Sequence, residues 1–461
     1  MKIVLFRADS SSTIGTGHIM RDLVLAQKYA KKGYEVVFAT QELQGNINYK
    51  ILESGYKLKK LNSNSKKELV KLIKKLDIDL LVIDHYQIDY KKETYIKEKT
   101  KVKILSFDDT YKKHNCDILL NHNLGAEAKK YKKLVPKKCK LKCGSKYTLL
   151  RNEFYKEKNK QYKKNKKIKQ VLVAMGGADN AKLNVKILKI LEKFQNIRVV
   201  LVTTKANKNL KELQKYIQDK RWVKLEINAT NIAQLMAQSD FAIITPSVTA
   251  NEAYFMQLPF IAIKTAKNQK NIYKYLKQNN FLVLKQFNAN LFNQKLSFLV
   301  KYLESQMINF KDLSLEEKKM ILKWRNAKSV KRWMYNRKAI PLDNHLQYID
   351  SLKDRKDRVY FLVKDKKDYL GVVDLTQIIK DKSAELGIYT NPSVYGVGTL
   401  LMSKIISYAF NTLQLKKLKA NVYIQNEKAI SLYKKFHFKS IGTLKDKHGK
   451  IQMMELKNEN R

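Results

Sequence analysis

The sequence contains few of the residues that cross-link exported proteins or hold metal ions. Its 461 residues include three cysteines, Cys116, Cys139 and Cys143, an odd number in a large chain. Cys139 and Cys143 lack the second Cys/His pair that would complete a zinc site. We therefore expect reduced thiols, a cytoplasmic location and no bound metal.

Long hydrophobic runs are also missing. No run of about 18 apolar residues occurs, and residues 1–6 lead directly into a strand-like segment without the apolar region of a signal peptide. These features argue against export and membrane spanning, so no membrane partner is expected.

Acidic residues are scarce relative to basic ones. The sequence has 42 Asp and Glu against 93 Lys and Arg, which gives a formal net charge of +51. Such a charge can favour nucleic acids, because binding releases counterions from the phosphate backbone. The lysines are scattered through almost every helical and loop segment, however, so we expect no nucleic-acid partner. The charge should instead attract small anionic substrates.

The pattern of hydrophobic residues predicts an α/β fold. In the first 300 residues or so, short β-rich runs alternate with amphipathic helical stretches, as in parallel sheets covered by helices. A lysine-dense segment, 155–169, separates two such Rossmann-like halves. The predicted strands are 3–7, 35–39, 80–83, 104–107 and 118–120 in the first half, and 171–175, 199–202, 241–245 and 260–263 in the second.

The order of elements changes near residue 305. Two helical stretches within 315–333 precede strands at 360–363, 369–375 and 384–389, which are followed by helix, strand and helix. This order predicts a separate α+β domain. We therefore expect three domains, at residues 1–160, 168–300 and 306–461.

A glycine turn that ends in a histidine follows the first strand. Gly15 and Gly17 allow a ligand to approach the backbone, and the helix that begins there offers free amides to anionic oxygens. His18 lies at this helix start, where the dipole favours the neutral ring that a general base requires. Alternatively, His18 only packs against the start of the helix.

A matching turn follows strand 241–245. Ser247 and Thr249 could hold a pyrophosphate, while Glu252 could accept both ribose hydroxyls of UDP. Thr249 and Glu252 also have the spacing of a capping box, which would fix them for helix stability alone. Similarly, Gly176 and Gly177 could cradle a substrate or simply form a turn.

Eight motifs follow one another within roughly residues 1–290. They are Arg7, Asp9, Gly15, Gly17, His18 and Arg21; Asp84, His85 and Tyr86; Asp108 and Asp109; Asn121, His122 and Asn123; Gly144, Tyr147, Leu149, Leu150, Arg151, Glu153 and Phe154; Gly176, Gly177 and Asp179; Ser247, Thr249 and Glu252; Asn268 and Gln269. In this order they resemble one family, the UDP-sugar hydrolase of pseudaminic acid biosynthesis.

The resemblance implies that water removes UDP from UDP-2,4-diacetamido-2,4,6-trideoxy-β-L-altropyranose, on a GT-B-like fold similar to two-domain glycosyltransferases that use UDP-GlcNAc. His18 matches the catalytic histidine of the family. The expected substrate-binding residues are Arg7, Asp9, Gly15, Gly17, Arg21, Asp84, Tyr86, Gly177, Asp179, Ser247, Thr249, Glu252, Asn268 and Gln269. A protein base and helix-terminus amides could perform this inverting hydrolysis without a metal. We expect His114 to be structural and leave the roles of His85 and His122 open.

A second glycine loop follows strand 384–389. Such a loop presents amides to a pyrophosphate, although a lone G-x-G can also be only a turn. The loop and the residues downstream of it are Gly396, Val397, Gly398, Thr399, Asn426, Ala429, Leu432, Tyr433, Phe436 and Phe438. With Trp324, Arg325 and Asn326 near the domain start, this ordered set resembles the GNAT N-acetyltransferases over about residues 308–456.

The GNAT resemblance implies acetyl-CoA as the co-substrate. It places the amides of Gly396, Val397, Gly398 and Thr399 on the CoA pyrophosphate. It also places Asn426 near the pantetheine arm, and it makes Tyr433 the acid that protonates the departing thiolate. The alternative for Tyr433 is a core aromatic on an amphipathic helix.

Glu385 and His437 are two further positions of interest in this domain. Glu385 is a candidate base on the strand beside the cofactor cleft, although an ionised strand residue can also simply face solvent. His437 stands before Phe438 where the family commonly has glycine.

The two resemblances are to consecutive steps of one pathway. Together they predict that the C-terminal domain acetylates the 4-amine of UDP-4-amino-4,6-dideoxy-N-acetyl-β-L-altrosamine, and that the N-terminal part hydrolyses the product. UDP-activated amino sugars and acetyl-CoA are thus the expected partners. The alternatives are a glycosyltransferase or epimerase fused to a ribosomal-protein-type acetyltransferase, and a module associated with RNA or the ribosome.

Overall fold

The computed structural model describes residues 1–160, 168–194, 197–366 and 368–458. Residues 161–167 of the expected linker, 155–169, therefore lie outside the described residues. The chain divides into two compact units, Met1–Lys295 and Leu296–Arg461. Among the helices of the described ranges, none combines the length and apolarity that a membrane crossing requires.

The first sheet of the first unit consists of seven parallel strands. They are β1 (Ile3–Ala8), β2 (Glu35–Thr40), β3 (Lys57–Lys60), β4 (Leu80–Asp84), β5 (Lys103–Phe107), β6 (Ile118–Asn121) and β7 (Lys140–Cys143). Their order in the sheet is β3-β2-β1-β4-β5-β6-β7. The order reverses between β1 and β4, and the loops at their carboxyl ends enclose the crevice in which doubly wound sheets bind ligands.

Helices cover both faces of this sheet. They are α1 (Gly17–Ala30), α2 (Tyr49–Glu53), α3 (Lys66–Leu76) and α4 (Tyr90–Thr100). The following helix, α5 (Asn152–Asn159), instead buries Phe154 in the core cluster of the second parallel sheet. Along β1, Val4 and Phe6 belong to one core cluster and Leu5 belongs to the other. This alternation buries the central strands on both sides, which explains their almost continuous apolar sequence.

A second parallel sheet repeats the arrangement. Its strands are β8 (Gln170–Ala174), β9 (Arg198–Thr203), β10 (Val223–Ile227), β11 (Phe241–Ile244), β12 (Phe260–Ile263) and β13 (Leu282–Leu284). The helices that follow its strands are α6 (Asn184–Leu191), α7 (Leu210–Ile217), α8 (Ile232–Gln238), α9 (Val248–Phe255), α10 (Lys270–Gln278) and α11 (Ala289–Glu304). The strand order β10-β9-β8-β11-β12-β13 places the reversal between β8 and β11.

Polar contacts connect the two sheets within the first unit. The buried Asn251 of α9 accepts a hydrogen bond from the Leu124 backbone amide, at 3.0 Å, and donates one to the Asn123 side chain, also at 3.0 Å. On α10, Asn271 donates to the Asp109 carbonyl at 2.8 Å. These contacts anchor the loops after β5 and β6 on the helices of the second sheet.

The second unit contains one mixed sheet with helices on both faces. Its elements are β14 (Gln306–Asn309), α12 (Leu315–Asn326), α13 (Lys328–Lys331), α14 (Leu342–Ser351), β15 (Val359–Lys364), β16 (Tyr369–Ile379), β17 (Ser383–Thr390), α15 (Gly398–Ser407), β18 (Lys417–Tyr423), α16 (Glu427–Lys435), β19 (Lys439–Asp446) and β20 (Gly449–Lys457). The order is β14-β15-β16-β17-β18-β20-β19. Neighbouring strands are antiparallel except β17 and β18, whose parallel pairing covers only Ser383–Glu385 against Lys417–Lys419.

The predicted α/β fold with a separate C-terminal α+β part is confirmed, and each predicted strand is observed to within a few residues. Seven strands were not predicted from the sequence, namely β3, β7, β10, β13, β14, β19 and β20. Most of these strands are short or rich in lysine, as is usual at sheet edges, where charge discourages further pairing. The two helical stretches predicted within 315–333 correspond to α12 and α13, which are separated by Ala327, an extended residue with φ −61° and ψ 139°.

We predict that Gly125 is required for the packing of the two sheets in the first unit. Its φ is +72°, and an added Cβ would lie 2.2 Å from Cδ2 of Tyr275. Gly55 has a similar φ of +78° but nothing within 4 Å of the added Cβ. Gly55→Ala should therefore cost only the left-handed conformation, roughly 1 kcal/mol, whereas Gly125→Ala should cost about 1–3 kcal/mol more through overpacking.

Calorimetric melting of the full chain measures the difference between these two variants. Equal shifts in the melting temperature of the first unit would show that the contact with Tyr275 does not matter.

Candidate active sites

The turn between β1 and α1 lies at the reversal point of the first sheet. Gly15 has φ +87°, and its amide donates to the Ser11 carbonyl at 2.8 Å, which closes the turn. Thr16 precedes α1 without capping it through its side chain. The first amides of the helix therefore remain available to an anionic ligand.

His18 is oriented by a buried carboxylate at the end of β4. Its Nδ1 lies 2.6 Å from Oδ1 of Asp84, whose side chain is only 2% exposed. Since a carboxylate can only accept, Nδ1 carries a proton, and in the neutral ring the lone pair therefore lies on Nε2. The helix dipole was expected to favour the neutral ring; the structure adds that Asp84 selects its tautomer.

Arg21 completes this arrangement from the next turn of α1. It donates through Nε and Nη2 to both oxygens of Asp84. Burial alone would raise the pKa of Asp84, but the charge of Arg21 and the hydrogen bonds from Arg21 and His18 hold it far below its usual range. Asp84 is therefore ionised at neutral pH.

Aromatic and polar side chains from other strand ends surround His18. The Tyr86 ring contacts it edge-on with centroids 5.2 Å apart, and the Tyr86 hydroxyl donates to Asp109 at 2.9 Å. Nε2 of the buried His122 lies 3.5 Å from Nη1 of Arg21. Burial and the charge of Arg21 lower the pKa of His122 to about 3. His122 is therefore neutral, and its Nδ1 accepts the Leu149 amide at 3.2 Å.

Arg7 and Asp9 form a buried pair at the end of β1. The two side chains meet through two hydrogen bonds of 2.7 Å, and both residues are 1% exposed. Asp9 also lies 3.1 Å from Nε2 of His85 and accepts the Gln41 amide at 2.7 Å. The structure thus gives Arg7, Asp9 and His85 protein partners, and substrate contact by Arg7 and Asp9 stays a prediction.

Glu252 lies in α9 at the reversal point of the second sheet. Ser247 is the N-cap residue of α9, and Thr249 and Glu252 lie inside the helix, so the capping-box alternative is wrong. Glu252 is 14% exposed, with Oε1 3.9 Å from Nη2 of Arg151. Burial raises its pKa to about 7 against the opposing charge of Arg151, and Glu153 adds to the rise.

The other residues expected to bind substrate in this half have mixed positions. Asp179 accepts the amides of Leu183 and Asn184 at 2.9 and 3.2 Å, which caps α6. A Cβ on Gly177 would lie 2.7 Å from Cγ2 of Thr204, so this glycine also serves packing. Asn268 is exposed, whereas the buried Gln269 accepts amides of its own turn.

In the second unit, the glycine loop leads directly into α15. Gly396 has φ +75°, and Val397 precedes the helix without capping it through a side chain. The Lys435 ammonium on α16 donates to the Thr399 hydroxyl at 2.9 Å. Free amides beside a cation fit a pyrophosphate. The sequence analysis missed Lys435, whose position on the same helix as Tyr433 was the available signal.

Asn426 and His437 lie at opposite ends of α16. The Asn426 side chain accepts the Ala429 amide at 3.2 Å and so caps the helix. Its contact with pantetheine stays a prediction. His437 adopts φ +66°, the conformation that explains why glycine is common at this position in the family.

Tyr433 lies in α16, and Glu385 lies at the end of the pairing between β17 and β18. Tyr433 is 4% exposed in the core and packs edge-on against Phe438 with centroids 5.0 Å apart. Glu385 is the last paired residue of β17. Its oxygens accept the amides of Asn421 at 3.0 Å and Gln377 at 3.3 Å. Glu385 thus has partners within the sheet, and the catalytic roles of both residues stay predictions.

Comparison with known proteins agrees with this division. A UDP-2,4-diacetamido-2,4,6-trideoxy-β-L-altropyranose hydrolase of Campylobacter jejuni is 44% identical over 280 residues, which cover 61% of this chain and 98% of that protein. The family model of the acetyltransferase (GNAT) domain matches residues 308–439. The acetyltransferase PseH of C. jejuni is 39% identical over 130 residues, 28% of this chain and 82% of PseH.

The chain belongs to both families. An uncharacterized protein of Methanocaldococcus jannaschii is 27% identical over 98% of both chains, so both parts of this chain align with a single relative. The hydrolase family accounts for the first unit and the GNAT family for most of the second.

The structure brings together only part of the expected hydrolase site. His18, Arg21, Asp84 and Tyr86 are in mutual contact, and they are joined by Asp109 and His122, which were motif residues without an assigned role. These two were missed because contact across separate strand ends leaves no local pattern. Within the described ranges, no group of three or more His, Cys, Asp or Glu is arranged to hold a metal ion.

His114 supports the loop that carries Asp109. Its Nδ1 lies 2.8 Å from the fully buried Glu93, and its Nε2 lies 3.9 Å from Asp108. Burial alone would lower the pKa of His114, but Asp108 and Glu93 raise it to about 9. This agrees with the expected structural role.

We predict a pH-dependent contribution of His114 to stability. Because the folded pKa of about 9 exceeds the ordinary 6.5, the contribution is complete below about pH 6.5 and is lost as the pH rises through 9. The full shift corresponds to roughly 3 kcal/mol.

The free energies of unfolding of wild type and His114→Gln should therefore differ most at pH 6 and converge toward pH 10. Denaturant titrations at both pH values measure this, and a difference that does not change with pH would contradict it.

Proposed function

We propose that the chain is a bifunctional enzyme of pseudaminic acid biosynthesis. The second unit acetylates the 4-amine of UDP-4-amino-4,6-dideoxy-N-acetyl-β-L-altrosamine with acetyl-CoA. The first unit then hydrolyses the product, UDP-2,4-diacetamido-2,4,6-trideoxy-β-L-altropyranose, to UDP and the free sugar. The observation that carries the proposal is the His18–Asp84 pair in a unit that shares 44% identity with a hydrolase of this substrate.

In the hydrolysis, His18 acts as the general base. Its Nε2 takes a proton from water while Asp84 holds the proton on Nδ1. The water oxygen bonds to the anomeric carbon, and the bond from that carbon to the UDP oxygen breaks with its electron pair. UDP leaves as the anion, and the configuration at the anomeric carbon inverts. Arg21 keeps Asp84 ionised and so keeps the ring of His18 in the productive tautomer.

We assign UDP binding to the second sheet. The two parallel sheets, each with a reversal in strand order, support a GT-B-like arrangement in which residues 1–160 supply the base and residues 168–300 hold the nucleotide. Ser247 and Thr249 would contact the pyrophosphate, and Glu252 would accept the ribose hydroxyls. Because the pKa of Glu252 is raised to about 7, its acceptor strength increases as the pH rises through neutrality.

We assign acetyl transfer to residues 306–461. The loop of Gly396, Val397, Gly398 and Thr399 would hold the CoA pyrophosphate with Lys435 beside it. Tyr433 would protonate the departing thiolate. We place the enzyme in the cytoplasm, where nucleotide sugars and acetyl-CoA are made. The alternatives of an RNA-associated module and a ribosomal-protein acetyltransferase are less well supported, since the hydrolase likeness leaves them no role for the first unit.

We predict that Asp84→Asn lowers the hydrolysis rate by about 10³–10⁴-fold, because an amide can hold the wrong tautomer of His18. His18→Ala should lower it by at least about 10²-fold. Asp77→Asn is the matched control, since Asp77 is exposed at the end of α3 in a left-handed conformation that asparagine accepts. UDP release from the diacetamido sugar nucleotide measures all three.

Oxygen-18 water tests the bond that breaks. We expect the label in the free sugar and none in UDP, because water attacks the anomeric carbon. Label in UDP would place the attack at phosphorus, and sugar transfer to an acceptor without hydrolysis would identify a glycosyltransferase instead.

A coupled assay tests the two activities in sequence. Purified chain, acetyl-CoA and the 4-amino sugar nucleotide should release free CoA and then UDP, whereas omission of acetyl-CoA should greatly reduce UDP release. Release of UDP at the same rate without acetyl-CoA would contradict the proposed order.

A further inference from the structure

Alternation along the sheet of the second unit places several polar side chains on one face. Val373 of β16 and Leu386 of β17 belong to the core cluster that includes residues of α15 and α16. Val372 belongs to the opposite cluster, with residues of α12 and α14, and Tyr389 packs against that cluster. Strand residues alternate between the two faces of a sheet. Asp374, two residues after Val372, therefore lies on this second face. Gly387 and Glu385, two and four residues before Tyr389, lie on the same face.

The Asp374 carboxylate lies directly over Gly387. The two residues are paired across β16 and β17, and a Cβ on Gly387 would come within 2.4 Å of Oδ2 and 2.6 Å of Oδ1 of Asp374. A side chain at residue 387 would therefore displace the carboxylate. The glycine leaves room for Asp374 to extend along the sheet toward Glu385, which stands where β17 and β18 separate.

Charged groups on the neighbouring strands shift the pKa of Asp374. Glu385 on β17 adds negative charge, and Arg358, just before β15, adds an opposing positive charge. Asp374 in turn raises the pKa of Tyr360 on β15, Tyr389 on β17 and Tyr433 on α16. Burial, then Glu385, raise the pKa of Asp374 to about 7.

Asp374 and Tyr433 are therefore within electrostatic reach of each other from opposite faces of the sheet. Backbone pairing of β17 and β18 ends at Glu385 and Lys419, so a ligand can pass between the two strands beyond these residues in the proposal below. An acetyl thioester whose pyrophosphate is held at the start of α15 can reach this passage from the face of α15 and α16. An amine acceptor would then approach from the opposite face, where Asp374 and Glu385 lie.

We propose that Asp374 is the general base of acetyl transfer and that Glu385 holds the same substrate ammonium from the neighbouring strand. The inference rests on the proposed acetyltransferase function of the second unit. It adds a catalytic residue that the sequence analysis did not select, and it changes the role of Glu385 from base to binding residue.

The chemical step balances with these groups. The ammonium transfers one proton to the Asp374 carboxylate, and the freed lone pair forms the C–N bond with the thioester carbonyl carbon. The C–S bond breaks with its electron pair on sulfur. The thiolate takes the phenolic proton of Tyr433, and Tyr433 regains a proton from the second N–H of the attacking nitrogen. The third N–H stays in the amide, and Asp374 releases its proton to solvent.

The test compares pH profiles of the full chain and its variants. Release of CoA thiol from acetyl-CoA and the 4-amino sugar nucleotide gives kcat/KM between pH 5.5 and 9. For wild type we expect an acidic limb near pH 7, and for Asp374→Asn a fall of at least about 10²-fold with loss of that limb. Glu385→Gln should mainly raise KM for the amino sugar and keep the limb. Asp381→Asn, an exposed carboxylate in the turn between β16 and β17, should match wild type.

Three further measurements keep the result interpretable. An unchanged KM for acetyl-CoA and unchanged UDP release from the diacetamido substrate would show that Asp374→Asn leaves both units folded. Gly387→Ala provides a second route to the same defect, because its Cβ would displace the carboxylate. We expect it to lower acetyl transfer while leaving UDP release unchanged.

The outcomes separate this inference from the proposed function. An active wild type together with an Asp374→Asn variant that keeps the rate and the limb would overturn the inference alone. Loss of the limb in Glu385→Gln but not in Asp374→Asn would also overturn it and return the base to Glu385. A wild-type chain that neither binds nor acetylates the amino sugar would overturn both.

Discussion

Asp84 carries a negative charge at 2% exposure, which only a close positive partner and further hydrogen-bond donors can make tolerable. Arg21 provides the charge and His18 a hydrogen bond, both from α1, so these contacts fix the helix against the end of β4. The same interaction fixes the tautomer of His18 and thereby the direction of its free lone pair. Tyr86, Asp109 and His122 surround this pair and depend on its position.

The position of Asp84 follows from the order of the strands. Because β1 and β4 are neighbours at the reversal point of the sheet, their carboxyl ends open into one crevice. Residues 66 positions apart in sequence, His18 and Asp84, therefore meet at hydrogen-bond distance. The second sheet repeats this geometry between β8 and β11, where the turn containing Ser247 and the helix carrying Glu252 begin.

The second unit uses a different constraint, the separation of two parallel strands. Once β17 and β18 diverge after Glu385, their backbone groups no longer pair with each other. In our proposal, residues on both faces of the sheet act on a substrate that lies between the two strands beyond Glu385. A helix start with free amides lies on one side, and carboxylates lie on the other. The free amides suit the anionic pyrophosphate of acetyl-CoA, and the carboxylates suit a cationic amine.

Much of the fold was predictable because burial leaves a pattern in sequence. The central strands β1, β4, β8 and β11 are apolar on both faces, and their predicted bounds agree with the structure to within a few residues. The lysine-rich β3 and β7 carry no such pattern. They are the edge strands of the sheet and are less buried, so their sequences need not be apolar. The Thr249 and Glu252 spacing suggested a capping box, but the helix begins at Val248, which moves both residues inside it.

The sequence by itself determined the two families, the central strands of the sheets and the histidine at the start of α1. Local spacing and ordered motifs were sufficient for these, because each depends on neighbouring residues. Only the tertiary structure decided that Asp84 orients His18, that Arg7 and Asp9 are buried partners, and that Asp374 lies over Gly387. The first and third of these contacts join separate elements, and all three depend on burial and charge, which no local pattern records.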